Sequence, residues 1–363
     1  MNNFIIPGNY GWTEDRERDF SPFANSGMAP GRIVEQNHHT YGVVTPFGKI
    51  DARITGVFEY KCTGPEDFPL LGDWVVYSPL EDNQGLIHKV LPRSSLLQRL
   101  APGGTSAPQP LAANLDRGII VMALDQDYSP SRVDRYLTLL TQAGAKGLVW
   151  LNKADLHPQK AQEARKELAL RWAEIPVLCG SALSSSDCRT YLEPWLISGQ
   201  TLCFLGSSGA GKSTLLNALV GESYRPTAEI RFWDGKGRHT STDRILMALE
   251  NGAMLMDHPG LREVGLWGGE ESLSEVFAPI FAFAEECRFR DCTHEDEPGC
   301  RVQIALENQE LDPGLWKSYQ RQKSELAALA RKKDPVLSKL EREKWKAINK
   351  SHRGFTKEKR SGG

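Results

Sequence analysis

Residues 206–214 read Gly-Ser-Ser-Gly-Ala-Gly-Lys-Ser-Thr and satisfy G-x-x-x-x-G-K-[ST]. Gly206, Gly209 and Gly211 let backbone N–H groups turn inward around a triphosphate, with Ser207, Ser208 and Ala210 completing the cradle at a helix N-terminus that favours anions. Lys212 is the candidate for neutralising β- and γ-phosphate oxygens, and the hydroxyl of Ser213, beside Thr214, is the candidate Mg²⁺ ligand. Asn152, Lys153, Ala154 and Asp155 form N-K-x-D, a pattern suited to guanine. That base presents two adjacent donors, N1–H and the N2 amine, which one carboxylate accepts together. Asp155 is assigned that contact, Asn152 the holding of the loop and the Lys153 stem the covering of the base face. An unsatisfied buried polar group costs about 1–3 kcal/mol, enough to select against adenine. Ser181 and Ala182 sit where a backbone N–H could reach guanine O6.

Asp257-His258-Pro259-Gly260 matches D-x-x-G, a segment that holds Mg²⁺ through water and senses a γ-phosphate. The polar stretch 234–242 lies between this motif and the phosphate loop. It reads as a mobile switch in which Thr240 or Thr242 supplies a hydroxyl to Mg²⁺. Cys287, Cys292, His294 and Cys300 offer three thiolates and an imidazole within fourteen residues, the donor set of a closed tetrahedral structural Zn²⁺ site. Cys62, Cys179, Cys188 and Cys203 lack such spacing and read as packing residues.

These motifs need strands and helices to hold them. Residues 1–30, rich in Gly, Pro and charge, read as a flexible arm. Short β-rich runs at 31–36, 40–45, 49–59, 73–78 and 85–90 predict a small closed barrel over residues 31–100, of the OB-fold type, although an SH3-like barrel has a similar pattern. The Pro- and Gly-rich stretch 101–110 reads as a linker. Beyond it, apolar runs at 118–124, 147–151, 176–179, 201–205, 245–249 and 253–256 alternate with amphipathic segments such as 131–143 and 158–172. This predicts a mostly parallel α/β sheet with one antiparallel hairpin, a P-loop domain over 101–271. Residues 272–363 read as a helical zinc-binding domain ending in a basic tail.

The 363 residues suit two to three domains at about 150 each. With 40% hydrophobic and 25% charged residues, the composition excludes wholesale disorder and collagen-like or mucin-like chains. No apolar run approaches the ~18 residues of a membrane span. Met1 begins no basic-then-apolar leader, and seven cysteines are too sparse for a secreted disulfide scaffold, so a cytoplasmic location is expected. The net charge of −2 hides an asymmetry: residues 317–363 hold 15 Lys and Arg against 5 Asp and Glu, and the remainder 29 against 41. Such a tail, including Arg331, Lys332, Lys333, Lys344 and Lys346, predicts a polyanionic partner gripped at one end.

The guanine motif precedes the phosphate loop and D-x-x-G, whereas Ras-like GTPases run the other way; this rotated order implies a circular permutation. With Gly72-Asp73-Trp74-Val75, Gly237-Arg238-His239-Thr240 and the cysteine cluster, the chain resembles the circularly permuted small-ribosomal-subunit-dependent GTPases, the RsgA, YjeQ or YloQ family, over about 31–316. The resemblance implies an OB-fold N-domain, a permuted GTPase core and a zinc-bearing helical C-domain. It also implies a role in late maturation of the 30S subunit; the expected partners are the 30S subunit and 16S rRNA, with other 30S assembly factors as further candidates, and the chain is expected to be a monomer. His258 departs from the small hydroxyl residue usual in the family. Leu261 occupies the place of the water-orienting Gln of Ras-type enzymes and cannot polarise water, so hydrolysis recruits another group, for which His239 is the candidate. A non-catalytic, nucleotide-gated RNA-binding scaffold and an adenine-nucleotide kinase are the competing readings; N-K-x-D argues against the kinase.

Overall fold

The structure, a computed structural model, describes residues 10–37, 40–101, 108–220, 244–258, 265–267, 269 and 271–333. Helix α1 (Glu14–Phe20) leads into the strands β1 (Ala29–Gln36), β2 (Tyr41–Thr45), β3 (Gly48–Ile54), β4 (Trp74–Pro79) and β5 (Gln84–Val90). β1 pairs with both β2 and β4, and β3 runs parallel to β5, so the order β1-β2-β3-β5-β4 closes back on β1. This is the five-stranded barrel of the OB type, filled by Ile33, Val43, Ala52, Val75, Tyr77 and Ile87.

Two local expectations are corrected here. From residue 10 onward the expected flexible arm is packed: Phe20 is fully buried with Trp74, the Trp12 ring meets Trp74 edge-on at 4.9 Å, and the Tyr10 carbonyl accepts from Arg32 at 2.5 Å. Aromatic burial outweighs the Gly-rich, charged composition around it. The expected strand over 49–59 ends at Ile54. The Thr55 hydroxyl accepts from the Phe58 N–H at 3.2 Å, and this N-cap starts the short helix α2 (Gly56–Lys61).

Part of the expected linker is also strand. β6 (Leu96–Leu100) and β7 (Pro108–Ala113) pair in a two-stranded sheet, with Pro108 opposite Leu100 and Pro110 opposite Gln98. Residues 102–107 lie outside the described residues. Strands at a sheet edge tolerate the missing proline donors.

The central sheet contains β8 (Arg117–Ala123), β9 (Lys146–Asn152), β10 (Val177–Cys179), β11 (Thr201–Leu205), β12 (Arg244–Ala248) and β13 (Met254–Asp257). Five strands run parallel in the order β10-β9-β8-β11-β13, and β12 is antiparallel to β13. Between them run α3 (Pro130–Ala143), α4 (Pro158–Arg171), α5 (Ser185–Leu192) and α6 (Lys212–Val220). The strands are near-continuous apolar runs because both faces are covered. Ile120 and Met122 pack in the layer containing Leu140, Ile119 and Val121 in the layer containing Leu215.

β1 also pairs with β12, setting Glu35 opposite Ile245, so barrel and central sheet form one eleven-stranded sheet. The C-terminal layer comprises α7 (Glu271–Val276), α8 (Ala278–Glu285), α9 (Arg301–Glu307) and α10 (Pro313–Lys333). α10 is fastened to α3 by Thr138 Oγ1 donating to Gln322 Oε1 at 2.8 Å and by Arg135 gripping Glu325 at 2.8 and 2.5 Å. Among the described residues no helix is long and apolar enough to cross a membrane.

Candidate functional site

Parallel strands point their C-terminal ends to one edge of a sheet, where ligands bind in doubly wound folds. That edge here gathers Asp125 after β8, Asn152 at the end of β9, Gly180 after β10, Gly206 after β11 and Asp257 at the end of β13. The phosphate loop turns between β11 and the first residue of α6, Lys212. Two of its glycines are required by geometry. Gly206 has φ +145°, and a Cβ there would lie 2.3 Å from the Val121 carbonyl; Gly211 has φ +100°, and a Cβ there would lie 2.1 Å from Asn152 Nδ2. Gly209 also has a positive φ, and Ser208 and Gly209 are exposed at the mouth of the loop while Ala210 is buried beneath it. Lys212 Nζ bends over the loop and donates to the Gly206 and Ser207 carbonyls at 2.7 and 2.6 Å. Ser213 and Thr214 follow on the first turn of α6, half-buried.

Asn152 joins the separate motifs. Buried to 4% exposure, its Nδ2 donates to the Ala210 carbonyl of the phosphate loop at 2.8 Å, and its Oδ1 accepts from the Ala182 N–H at 2.8 Å. Of the backbone amides at Ser181 and Ala182, where one was expected to reach guanine O6, that of Ala182 is engaged by Asn152; Ser181 is buried beside it. The Ala154 N–H donates to the Gly180 carbonyl at 3.2 Å and fixes the turn after β9. Asp155 is exposed beyond it. Lys153 adopts φ +64° and sends Nζ to Asp125 Oδ2 at 2.6 Å.

Asp257 is half-buried at the end of β13, next to a buried His258. Burial, with the charges of Arg244 and Arg99, pushes the His258 pKa down to about 3, so the imidazole is neutral. His239, Thr240, Thr242, Gly260 and Leu261 lie outside the described residues.

Asp125 and Asp127 were not singled out from the sequence. Asp125 holds Lys153, and Asp127 accepts from the Ser207 hydroxyl of the phosphate loop. Their signal was available: two acids directly following a buried parallel strand.

The donor atoms of Cys287, Cys292, His294 and Cys300 all lie within 4.8 Å of one another. His294 Nδ1 is 3.6 Å from Cys287 Sγ and 3.4 Å from Cys300 Sγ. Bond lengths near 2.1 and 2.3 Å in a tetrahedron give ligand–ligand separations of roughly 3.6–3.8 Å, so these residues fit Zn²⁺. The loop turns back on itself at His294, with φ +64°, and Cys300 is the residue before α9, whose Arg301 N–H donates to Cys287 Sγ at 3.3 Å. Burial pushes the Cys287 thiol up, but the Val302 and Arg301 amides and the neighbouring thiols hold it below its ordinary value.

A family model described as RsgA GTPase matches residues 90–267, and one described as 50S ribosome-binding GTPase matches residues 201–350. The small ribosomal subunit biogenesis GTPase RsgA of Opitutus terrae is 41% identical over 353 residues, covering 94% of this chain and 96% of the relative. That of Methanosarcina acetivorans is 38% identical, covering 98% and 95%. The chain belongs to the RsgA family.

The crystal structure of YjeQ from Thermotoga maritima superposes with a TM-score of 0.62 at 26% identity, covering 83% of this chain and 99% of that one. The structure of YloQ, titled a circularly permuted GTPase, gives 0.60 at 24% identity, covering 83% and 96%, a likeness of fold. As an RsgA-family GTPase the chain takes GTP, GDP and Mg²⁺, and its Cys287, Cys292, His294 and Cys300 could hold one structural zinc.

Proposed function

We propose that this chain hydrolyses GTP to GDP and phosphate while bound to the small ribosomal subunit, in the cytoplasm and as a monomer, during late maturation of that subunit. The observation that carries the nucleotide half is the Asn152 side chain, which ties N-K-x-D to the phosphate loop and to Ala182. Three motifs far apart in the chain thereby become one clasp. Asp155 accepts the guanine N1–H and N2 amine, the Lys153 stem covers the base, and the turn at Ser181 and Ala182 closes on its edge. Lys212 exchanges its two carbonyl partners for β- and γ-phosphate oxygens, which offer it charge as well as acceptors. Ser213 holds Mg²⁺ directly, Asp257 through water, and Thr240 or Thr242 from the switch; the ion neutralises charge developing on the phosphates.

Gly260 reports the γ-phosphate, and His239 polarises the attacking water in place of the absent Gln, so turnover without the ribosome is slow. The barrel and the basic tail hold 16S rRNA, with the tail supplying the cationic contacts to phosphate, since the remainder of the chain carries 29 Lys and Arg against 41 Asp and Glu. The names of the relatives, small ribosomal subunit biogenesis GTPases, support this partner. GTP and ATP turnover with and without purified small subunits tests the proposal. Subunits should accelerate GTP turnover by at least tenfold and leave ATP untouched, and His239→Ala should abolish the acceleration. GTP binding without acceleration would favour a nucleotide-gated scaffold.

A further inference from the structure

The loop between β8 and α3 touches both halves of the clasp, and neither of its acids belongs to the motifs that define the site. Asp125 Oδ2 accepts Lys153 Nζ at 2.6 Å. Two residues on, Asp127 Oδ2 accepts the Ser207 hydroxyl, while its Oδ1 is paired with Arg132 Nη1 at 2.7 Å. The loop between the two acids is itself stiff: the Asp127 N–H donates to Asp125 Oδ1 at 2.9 Å, and Lys160 Nζ donates to the Asp125 carbonyl at 2.5 Å. Lys153 holds the Asp125 carboxyl below its ordinary pKa, and Arg132, then Ser207, do the same for Asp127. Both acids are therefore ionised throughout the neutral range.

We propose that Asp125 and Asp127 are positioning residues that brace the two halves of the nucleotide clasp against one loop, Asp125 through the base-covering Lys153 and Asp127 through the phosphate-loop Ser207. This rests on the guanine reading of the site. A lysine on a free four-carbon stem samples many rotamers, and ordering it costs up to ~2 kcal/mol. With the ammonium anchored to Asp125, the stem is fixed before the base arrives, and that cost is removed from binding. Asp127 acts likewise on the first turn of the phosphate loop, whose backbone donors must converge on the phosphates. Because Lys153 has φ +64°, its side-chain direction is set by an unusual backbone as well as by the carboxylate.

The experiment measures steady-state GTP hydrolysis by the full-length chain with Mg²⁺ and small subunits. Asp125→Asn should raise KM about tenfold and change kcat by less than twofold, since Lys153 lies against the base and not the reacting phosphate. Asp127→Asn should lower kcat as well. In a Lys153→Met background, Asp125→Asn should then change KM by less than twofold, because its partner has gone. Additive losses in that cycle, or an unchanged KM in Asp125→Asn, would overturn the brace. Should Asp125→Asn fail to fold, Lys153→Met tests the same contact from its other end, and an unchanged KM again overturns it. The parent chain separates the two readings. If it ignores GTP, the guanine reading and the brace fall together; if it hydrolyses GTP while the cycle is additive, the brace alone falls.

Discussion

Asn152 does two tasks that a motif cannot display. Its amide satisfies a carbonyl and an amide from loops 58 and 30 residues away, and so ties together the motifs that the parallel strands bring to one edge of the sheet. The chemistry of His258 follows from its burial. With its pKa near 3 against an ordinary 6.5, the unfolded chain binds a proton between those values that the folded chain does not. Stability from this residue is therefore fully present above pH 6.5 and falls as the pH drops towards 3, by up to about 1.4 kcal/mol per pH unit. Urea midpoints at pH 7 and pH 5 should differ more in the parent than in His258→Gln. Equal differences would mean that His258 titrates normally.

Helices α3, α4 and α10 meet around one buried guanidinium. Arg171 pairs with Asp134 at 3.4 Å and with Asp312 at 2.7 Å; Arg171 is 7% exposed and Asp134 fully buried. Removing one partner of such a pair strands the other, so Arg171→Met should cost about 3 kcal/mol, read as a lowered unfolding midpoint. A loss below about 1 kcal/mol would contradict the structural weight given to this contact. The Asp134 carboxyl, pushed up to about 7 chiefly by burial, can take a proton and soften the loss at lower pH. Much at this scale was legible in sequence. β8, β9 and β11 are contiguous apolar runs, and the motifs lie at strand ends where the chain turns sharply. What escaped is non-local or mixed in composition. The β-rich residues of α2 concealed an N-cap at Thr55, and the aromatics that fasten residues 10–30 sit among glycines and charges. The pairing of β1 with β12 joins residues some 210 positions apart, and no local pattern reports it. Asp125 and Asp127 stand in a legible place, directly after a buried strand, but the partners that give them a role lie 28 and 80 residues on.

In the whole molecule, one sheet runs from the barrel into the strands that carry the nucleotide site, and α10 clamps the C-terminal layer to α3. This changes where the basic tail begins. Leu326 and Leu329 are buried and Gln322 bonds to Thr138, so the part of the basic stretch up to Lys333 belongs to the folded body. Residues 334–363 hold 9 Lys and Arg against 4 Asp and Glu. Truncation after Lys333 should flatten the salt dependence of small-subunit binding; an unchanged slope would assign the phosphate contacts elsewhere. The rotated order of motifs remains the centre of the account. Calorimetric titration of GDP and ADP into the Mg²⁺-supplied chain, repeated with xanthosine diphosphate and Asp155→Asn, tests it most directly. The account predicts one GDP per chain, no ADP, and a switch of preference to xanthosine diphosphate in the variant. Equal uptake of ADP, or no uptake of GDP, would contradict it.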